Sequence, residues 1–224
     1  MLLDNVLAVD YIQQHATKFQ YNPDNSVIYG ASAGADQALM AAGALQELNP
    51  SLNPPSKSFK GIYMNYPAGY LTPDQASFKE NNPPVWFSIP SFGGLVQNYL
   101  APSDLATKAN PIISAIKFAS DVKDATLAML PSISLVVGEK DLLRSGGEAL
   151  YQHLQDIKHP SSLDVRKGDC HISIEQYPDV PLSAQGRHKL AQEMKVSSST
   201  VLLVFTFADS SSFADFFPLT EVVR

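Results

Sequence analysis

The chain has 224 residues, 45% of them apolar, which suits one globular domain around a single buried core. A net charge of −6 with no block of consecutive basic residues removes the electrostatic footprint that a phosphate backbone requires, so nucleic acid is not an expected partner. Cys170 is the single cysteine, Met1 to Asn5 lacks a secretory pattern and the longest apolar run is Val201 to Phe205, so the sequence predicts a cytoplasmic protein with no membrane span and no internal disulfide.

In chain order, Leu2, Val6, Val9, Ile12, Ala16 and Phe19 recur at three- and four-residue intervals. With Leu3, Leu7 and Tyr11 widening the stripe, the pattern predicts an amphipathic helix over residues 2 to 19. Asn22-Pro23-Asp24-Asn25 is a turn cluster, and the Ser26-Val27-Ile28-Tyr29 that follows is too short for a helix and rich in β-forming residues. A buried strand is predicted there. Ala33 to Leu48 is rich in Ala and Leu and free of Pro, which predicts a helix directly after the strand. Gly61 to Tyr66 reads as the next strand. Residues 68 to 130 carry Pro73, Pro83, Pro84, Pro90, Pro102 and Pro111 around short apolar segments such as Ile112 to Phe118. That insertion is too long for a simple crossover and is expected to act as a lid or pocket wall. Its aromatic residues Tyr70, Phe78, Trp86, Phe87, Phe92 and Tyr99 suit either an acyl pocket or ordinary core packing. Ile133 to Val137 predicts a strand, Gly147 to Ile157 a helix, Leu163 to Arg166 a strand and Ser183 to Met194 a helix. Beyond Met194 a terminal strand within the apolar run at Val201 to Phe207 is possible, but no upstream pattern assigns residues 196 to 224 a structure. Strands alternating with helices predict the α/β class, with a parallel sheet of about four strands covered on both faces.

Gly30-Ala31-Ser32-Ala33-Gly34 lies where the first predicted strand meets its helix. A Gly-x-Ser-x-Gly pentapeptide arises by chance in roughly one chain in ten of this length, so its setting carries the weight. In a strand-to-helix turn the small residues let both elements approach, and the serine projects from the carboxyl end of the strand. A helix N-cap serine in a glycine-rich turn is the structural alternative. A serine hydroxyl is a weak nucleophile unless a histidine takes its proton and a carboxylate orients that histidine. On folds that carry this elbow the order is serine, acid, histidine, each after a strand. Asp141 follows the strand at Ile133 to Val137 and His171 follows the strand at Leu163 to Arg166. His15, His153 and His188 fall on predicted helices, and His159 falls in a turn leading into a strand. Glu139 is the nearest rival carboxylate, and Asp169 lies close in sequence to His171.

The helix, turn and elbow, Leu3-Asp4, Val9-Asp10-Tyr11-Ile12, Asn22-Pro23-Asp24 and Val27 to Gly34, resemble those of the hormone-sensitive-lipase-like carboxylesterases of the α/β-hydrolase fold. Tyr66-Pro67, Asn110-Pro111-Ile112-Ile113, Leu130-Pro131, Val137-Gly138-Glu139-Lys140-Asp141-Leu142-Leu143 and Cys170-His171 continue the likeness in order. The resemblance implies a partial α/β-hydrolase domain over residues 1 to 195, with 68 to 130 as a cap-like insertion and 196 to 224 as a tail. It implies a Ser32, His171 and Asp141 triad, the Ala33 N–H as an oxyanion donor, and no cofactor or metal. The implied function is hydrolysis of small carboxylic esters through an acyl-enzyme. An amide or formamide hydrolase with the same triad is the alternative, as is a hydrolase-like protein that binds a ligand without turning it over. Two departures stand out: Ala35 replaces a further glycine, and the family's His-Gly-Gly-Gly loop has no counterpart before the opening helix. The resemblance therefore predicts an N-terminally truncated member, with Ser26 to Tyr29 left as an exposed apolar sheet edge.

Overall fold

The computed structural model describes residues 2–20, 22–49, 59–70, 76–81 and 119–171, together with the backbone of 201–205. Helix α1 spans Leu2–Gln14, short of the predicted residue 19, and turns continue through Gln20, whose φ is 56. The Asn22 side chain accepts a hydrogen bond from the Asp24 N–H, and Ser26 Oγ donates to the Pro23 carbonyl, so the predicted turn is closed by its own side chains. Strand β1 (Ser26–Ala31) is buried along its whole length, and α2 (Ala33–Leu48) leaves it after one residue. Strand β2 (Ile62–Asn65) follows. Within the insertion lie α3 (Ala76–Glu80), a 3-10 turn at Ala119–Asp121 and α4 (Asp124–Leu127). Strand β3 (Ile133–Gly138), helix α5 (Arg144–Asp156) and strand β4 (Ser161–Arg166) complete the predicted series. Helix α5 starts at Arg144, three residues before the predicted Gly147, and takes Gly146 and Gly147 into its buried face. The segments Ile112 to Phe118 and Ser183 to Met194 lie outside the described residues.

The sheet is parallel throughout and runs in the order β4-β3-β2-β1-β5, where β5 is Val201–Phe205. The four strands expected from the sequence are joined by this fifth, drawn from the tail. It corrects the expectation of an exposed edge: β5 lies beside β1 with Ser26 opposite Val201 and Gly30 opposite Phe205. An unpaired strand offers a row of N–H and C=O groups, and an uninterrupted apolar run is suited to satisfy them.

The core forms between the sheet and the α1–α2 layer. From Gly34 to Leu45 every residue of α2 is buried, because its alanines allow both the sheet and α1 to approach closely. Ile28, Leu39, Ile62, Met64, Ile133 and Leu135 are at most 1% exposed, each side chain contributing about 1.5–3 kcal/mol of transfer free energy. Helix α1 buries Leu2, Val6, Val9 and Gln13, while Leu7 and Tyr11 stay 56% and 46% exposed. Among the described residues α1 packs mainly against α2, and the stripe it buries there is narrower than predicted.

Candidate active site

Ser32 joins β1 to α2 with φ 56 and ψ −129, a conformation that costs a non-glycine residue about 1–3 kcal/mol. Its neighbours hold it there. The Ser32 N–H donates to the Asn65 carbonyl at 2.8 Å, and its own carbonyl accepts from Ala35 N–H at 2.9 Å. Gly30 has no room for a side chain, since an added Cβ would collide with the Gly34 carbonyl and come within 2.6 Å of Ala35 N. The strand and the helix thus meet backbone to backbone, and Ser32 is turned outward at the carboxyl end of the central strands. Ala33 is the first residue of α2, where N–H groups have no acceptor inside the helix.

The structure brings Asp141 and His171 to this point. Ser32 Oγ lies 2.7 Å from His171 Nε2, and His171 Nδ1 lies 2.9 Å from Asp141 Oδ2. A carboxylate can only accept, so Nδ1 carries the proton and Nε2 is the acceptor for the Ser32 hydroxyl. His171 is 7% exposed and Asp141 1%, which keeps water from competing for either contact. The second Asp141 oxygen accepts from Leu143 N–H at 2.9 Å.

Long-range contacts fix both loops. At the end of β3, Gly138 leaves space for the loop after β4: an added Cβ would lie 2.5 Å from the Asp169 carbonyl and 2.9 Å from that of Cys170. Lys140 N–H donates to the Asp169 carbonyl at 2.9 Å, tying the acid loop to the histidine loop. Helix α3 reaches in from the insertion. Ser77 Oγ donates to the Leu142 carbonyl, Ser77 N–H donates to Ser145 Oγ at 2.9 Å, and Asn81 Nδ2 donates to the Asp141 carbonyl at 3.0 Å. Arg144 donates to the Glu139 carbonyl at 2.7 Å and pairs with Glu80.

The rival groups are engaged elsewhere. Glu139 accepts from Gly168 N–H at 2.8 Å, and burial pushes the Asp169 carboxyl up, opposed by Arg166 and the Tyr66 hydroxyl. His15 and His153 are remote from Ser32, the first bonded to Tyr11 and the second to Asp124. His159 is buried with Nε2 3.2 Å from the Leu130 carbonyl, at the amino end of β4. His188, Trp86, Phe87, Phe92 and Tyr99 lie outside the described residues, whereas Tyr70 is half-buried with its ring edge-on to His153.

Two supports escaped the sequence. Tyr66, with φ 52, sets its buried ring edge-on to His171 at 5.8 Å. Asp36 accepts from the N–H groups of Ala68 and Gly69, each at 2.9 Å. An aspartate in the apolar run Ala33 to Ala44 was the available signal for the second. Ser77 and Asn81 carried none.

No group of three or more His, Cys, Asp or Glu residues suited to a metal ion occurs among the described residues. Among the same residues no helix is long and apolar enough to cross a membrane.

Comparison with known proteins bears on the same segment. The chain is similar to an alpha/beta hydrolase of Acanthamoeba polyphaga mimivirus, 27% identical over 156 residues that cover 69% of this chain and 41% of the viral protein. Its structure is similar to that of carboxyl esterase 2 from the mycorrhizal fungus Tuber melanosporum, with TM-score 0.67, 22% identity, and coverage of 84% of this chain and 59% of the fungal one. It is also similar to the hyperthermophilic esterase of the archaeon Pyrobaculum calidifontis, with TM-score 0.69, 21% identity, and coverage of 87% and 60%. The chain thus spans about three fifths of the length of these esterases and less than half of the viral relative. The model of the alpha/beta hydrolase fold family matches residues 2–174, the segment that holds the elbow and both partner loops, and the chain belongs to that family.

Proposed function

We propose that the chain carries the catalytic triad of a serine hydrolase acting on small carboxylic esters, with Ser32 as nucleophile, His171 as base and Asp141 as its orienting carboxylate. The observation that carries this reading is the continuous relay from Ser32 Oγ through the His171 ring to Asp141, at 2.7 and 2.9 Å. Esterases among the similar structures support the substrate class.

Ser32 Oγ attacks the ester carbonyl carbon as its proton passes to His171 Nε2. Asp141 stabilises the imidazolium so formed. The negative oxygen of the tetrahedral intermediate takes a hydrogen bond from the Ala33 N–H at the start of α2, where the helix dipole also favours negative charge. The carbon–oxygen bond to the alcohol then breaks, His171 returns the proton to that alcohol, and the acyl group stays on Ser32. Water repeats the sequence with His171 again as base and releases the acid. The strained backbone at Ser32 serves this chemistry by exposing Oγ above the helix start.

Release of nitrophenol from short acyl esters by the protein, with Ser32→Ala as control, tests the reading. Turnover that falls to the uncatalysed rate in the variant supports it; equal rates overturn it.

A further inference from the structure

We propose that Asp36 is a positioning residue for His171: it anchors the loop after β2, and that loop carries the Tyr66 ring against which the imidazole rests. The inference builds on the reading of His171 as the base. Asp36 lies one helical turn beyond Ser32 and is 7% exposed. Its two oxygens are divided between consecutive backbone donors, Oδ2 taking Ala68 N–H and Oδ1 taking Gly69 N–H. From the opposite side the loop is gripped by α5. Gly69, at φ 57, fits against the Gly146 carbonyl where a side chain would collide, and Tyr70 N–H donates to that carbonyl at 3.3 Å. Two residues before the first of these anchors, Tyr66 keeps a left-handed backbone, which persists only where its surroundings fix it. Its ring then meets that of His171 at an interplanar angle of 67°.

A neutral side chain could tie down a loop without the penalty of a buried charge. Here burial pushes the Asp36 carboxyl up to about 7, opposed by the two N–H donors and by the charged form of His171. Both oxygens of the carboxyl group accept, so it takes two neighbouring N–H groups at once, which an amide with its single oxygen in the same place would not.

The test compares kcat and KM for ester turnover by wild type, Asp36→Asn and Tyr66→Leu. Asp36→Asn, which keeps one acceptor oxygen of the two, is expected to lower kcat roughly tenfold with KM unchanged. Tyr66→Leu, which leaves the anchor in place, is expected to lower kcat with KM likewise unchanged. Wild-type kcat in either variant, or a rise in KM in place of a fall in kcat, overturns the proposal. Turnover that Ser32→Ala does not abolish, or none in wild type, counts instead against the reading of the triad. In that event the NMR signals of the His171 ring decide the positioning role. Ring signals displaced from wild type in both Asp36→Asn and Tyr66→Leu support it, and signals that coincide with wild type overturn it.

Discussion

Ser32 is held mostly by residues within three positions of itself, with one strand-to-strand bond to Asn65, whereas Asp141 and His171 are held by partners scattered along the chain. The elbow depends on the close approach of Gly30 to Gly34 and Ala35, and on the bond from Ala35 N–H to the Ser32 carbonyl. The acid loop depends on Ser77 and Asn81, at sequence separations of 65 and 60, and the histidine loop on Gly138 and Lys140. A site can thus combine a nucleophile made by local backbone geometry with an acid and base made by tertiary contacts. The two halves should fail differently: damage to the elbow should unfold the strand-to-helix junction, and damage to the loops should leave the fold intact while slowing the chemistry.

The largest effect is expected on the second half. Asp141→Asn keeps the shape of the side chain but presents an amide donor to His171 Nδ1 and so favours the wrong tautomer, and kcat should fall about 10⁴-fold with thermal stability little changed. Stopped or steady-state ester kinetics beside a melting curve will check both parts. On the first half, Gly30→Ala forces a Cβ against backbone that has no free rotor to turn away. A loss of about 3 kcal/mol or more is expected in urea unfolding.

Two smaller effects sharpen the contrast. Because the folded-state pKa of Asp36 is raised to about 7 from 3.8, the native protein holds a proton there that the unfolded chain has released. The contribution of this group to stability therefore grows as pH falls from about 7 to about 4, by up to about 1.4 kcal/mol per unit, and is lost as pH rises through about 7. Unfolding free energies of wild type and Asp36→Asn measured over that window should diverge with this slope; parallel curves would remove Asp36 from the account. Asn81→Ala removes one side-chain donor to the Asp141 carbonyl, and a loss of about 1 kcal/mol in kcat/KM is expected without change in the elbow.

The same division explains what could be read from the residues. A strand, a glycine-flanked serine and an alanine-rich helix sit next to each other in sequence, so Ser32 was legible from nine or ten consecutive residues. Asp141 and His171 were legible because each follows a predicted strand in the order the chemistry requires. The residues that fix them were not. Ser77 belongs to a five-residue helix with no strong periodicity, and nothing local links it to Leu142. Tyr66 shows no sign in sequence of its positive φ, which the surrounding loop imposes. The run Val201 to Phe205 invited a strand, but its place beside β1 follows from backbone pairing across more than half the chain. Leu7 and Tyr11 continued an apolar stripe that α2 does not cover, since periodicity reports where a face exists and not how wide its partner is.

The central claim is that Ser32 is activated by His171, and covalent labelling tests it without a choice of ester. A fluorophosphonate probe, followed by peptide mass spectrometry, should place its adduct on Ser32 in the wild-type protein. In His171→Ala the rate of labelling should collapse. An adduct on another residue, or equal labelling of Ser32 with and without the imidazole, would contradict the account.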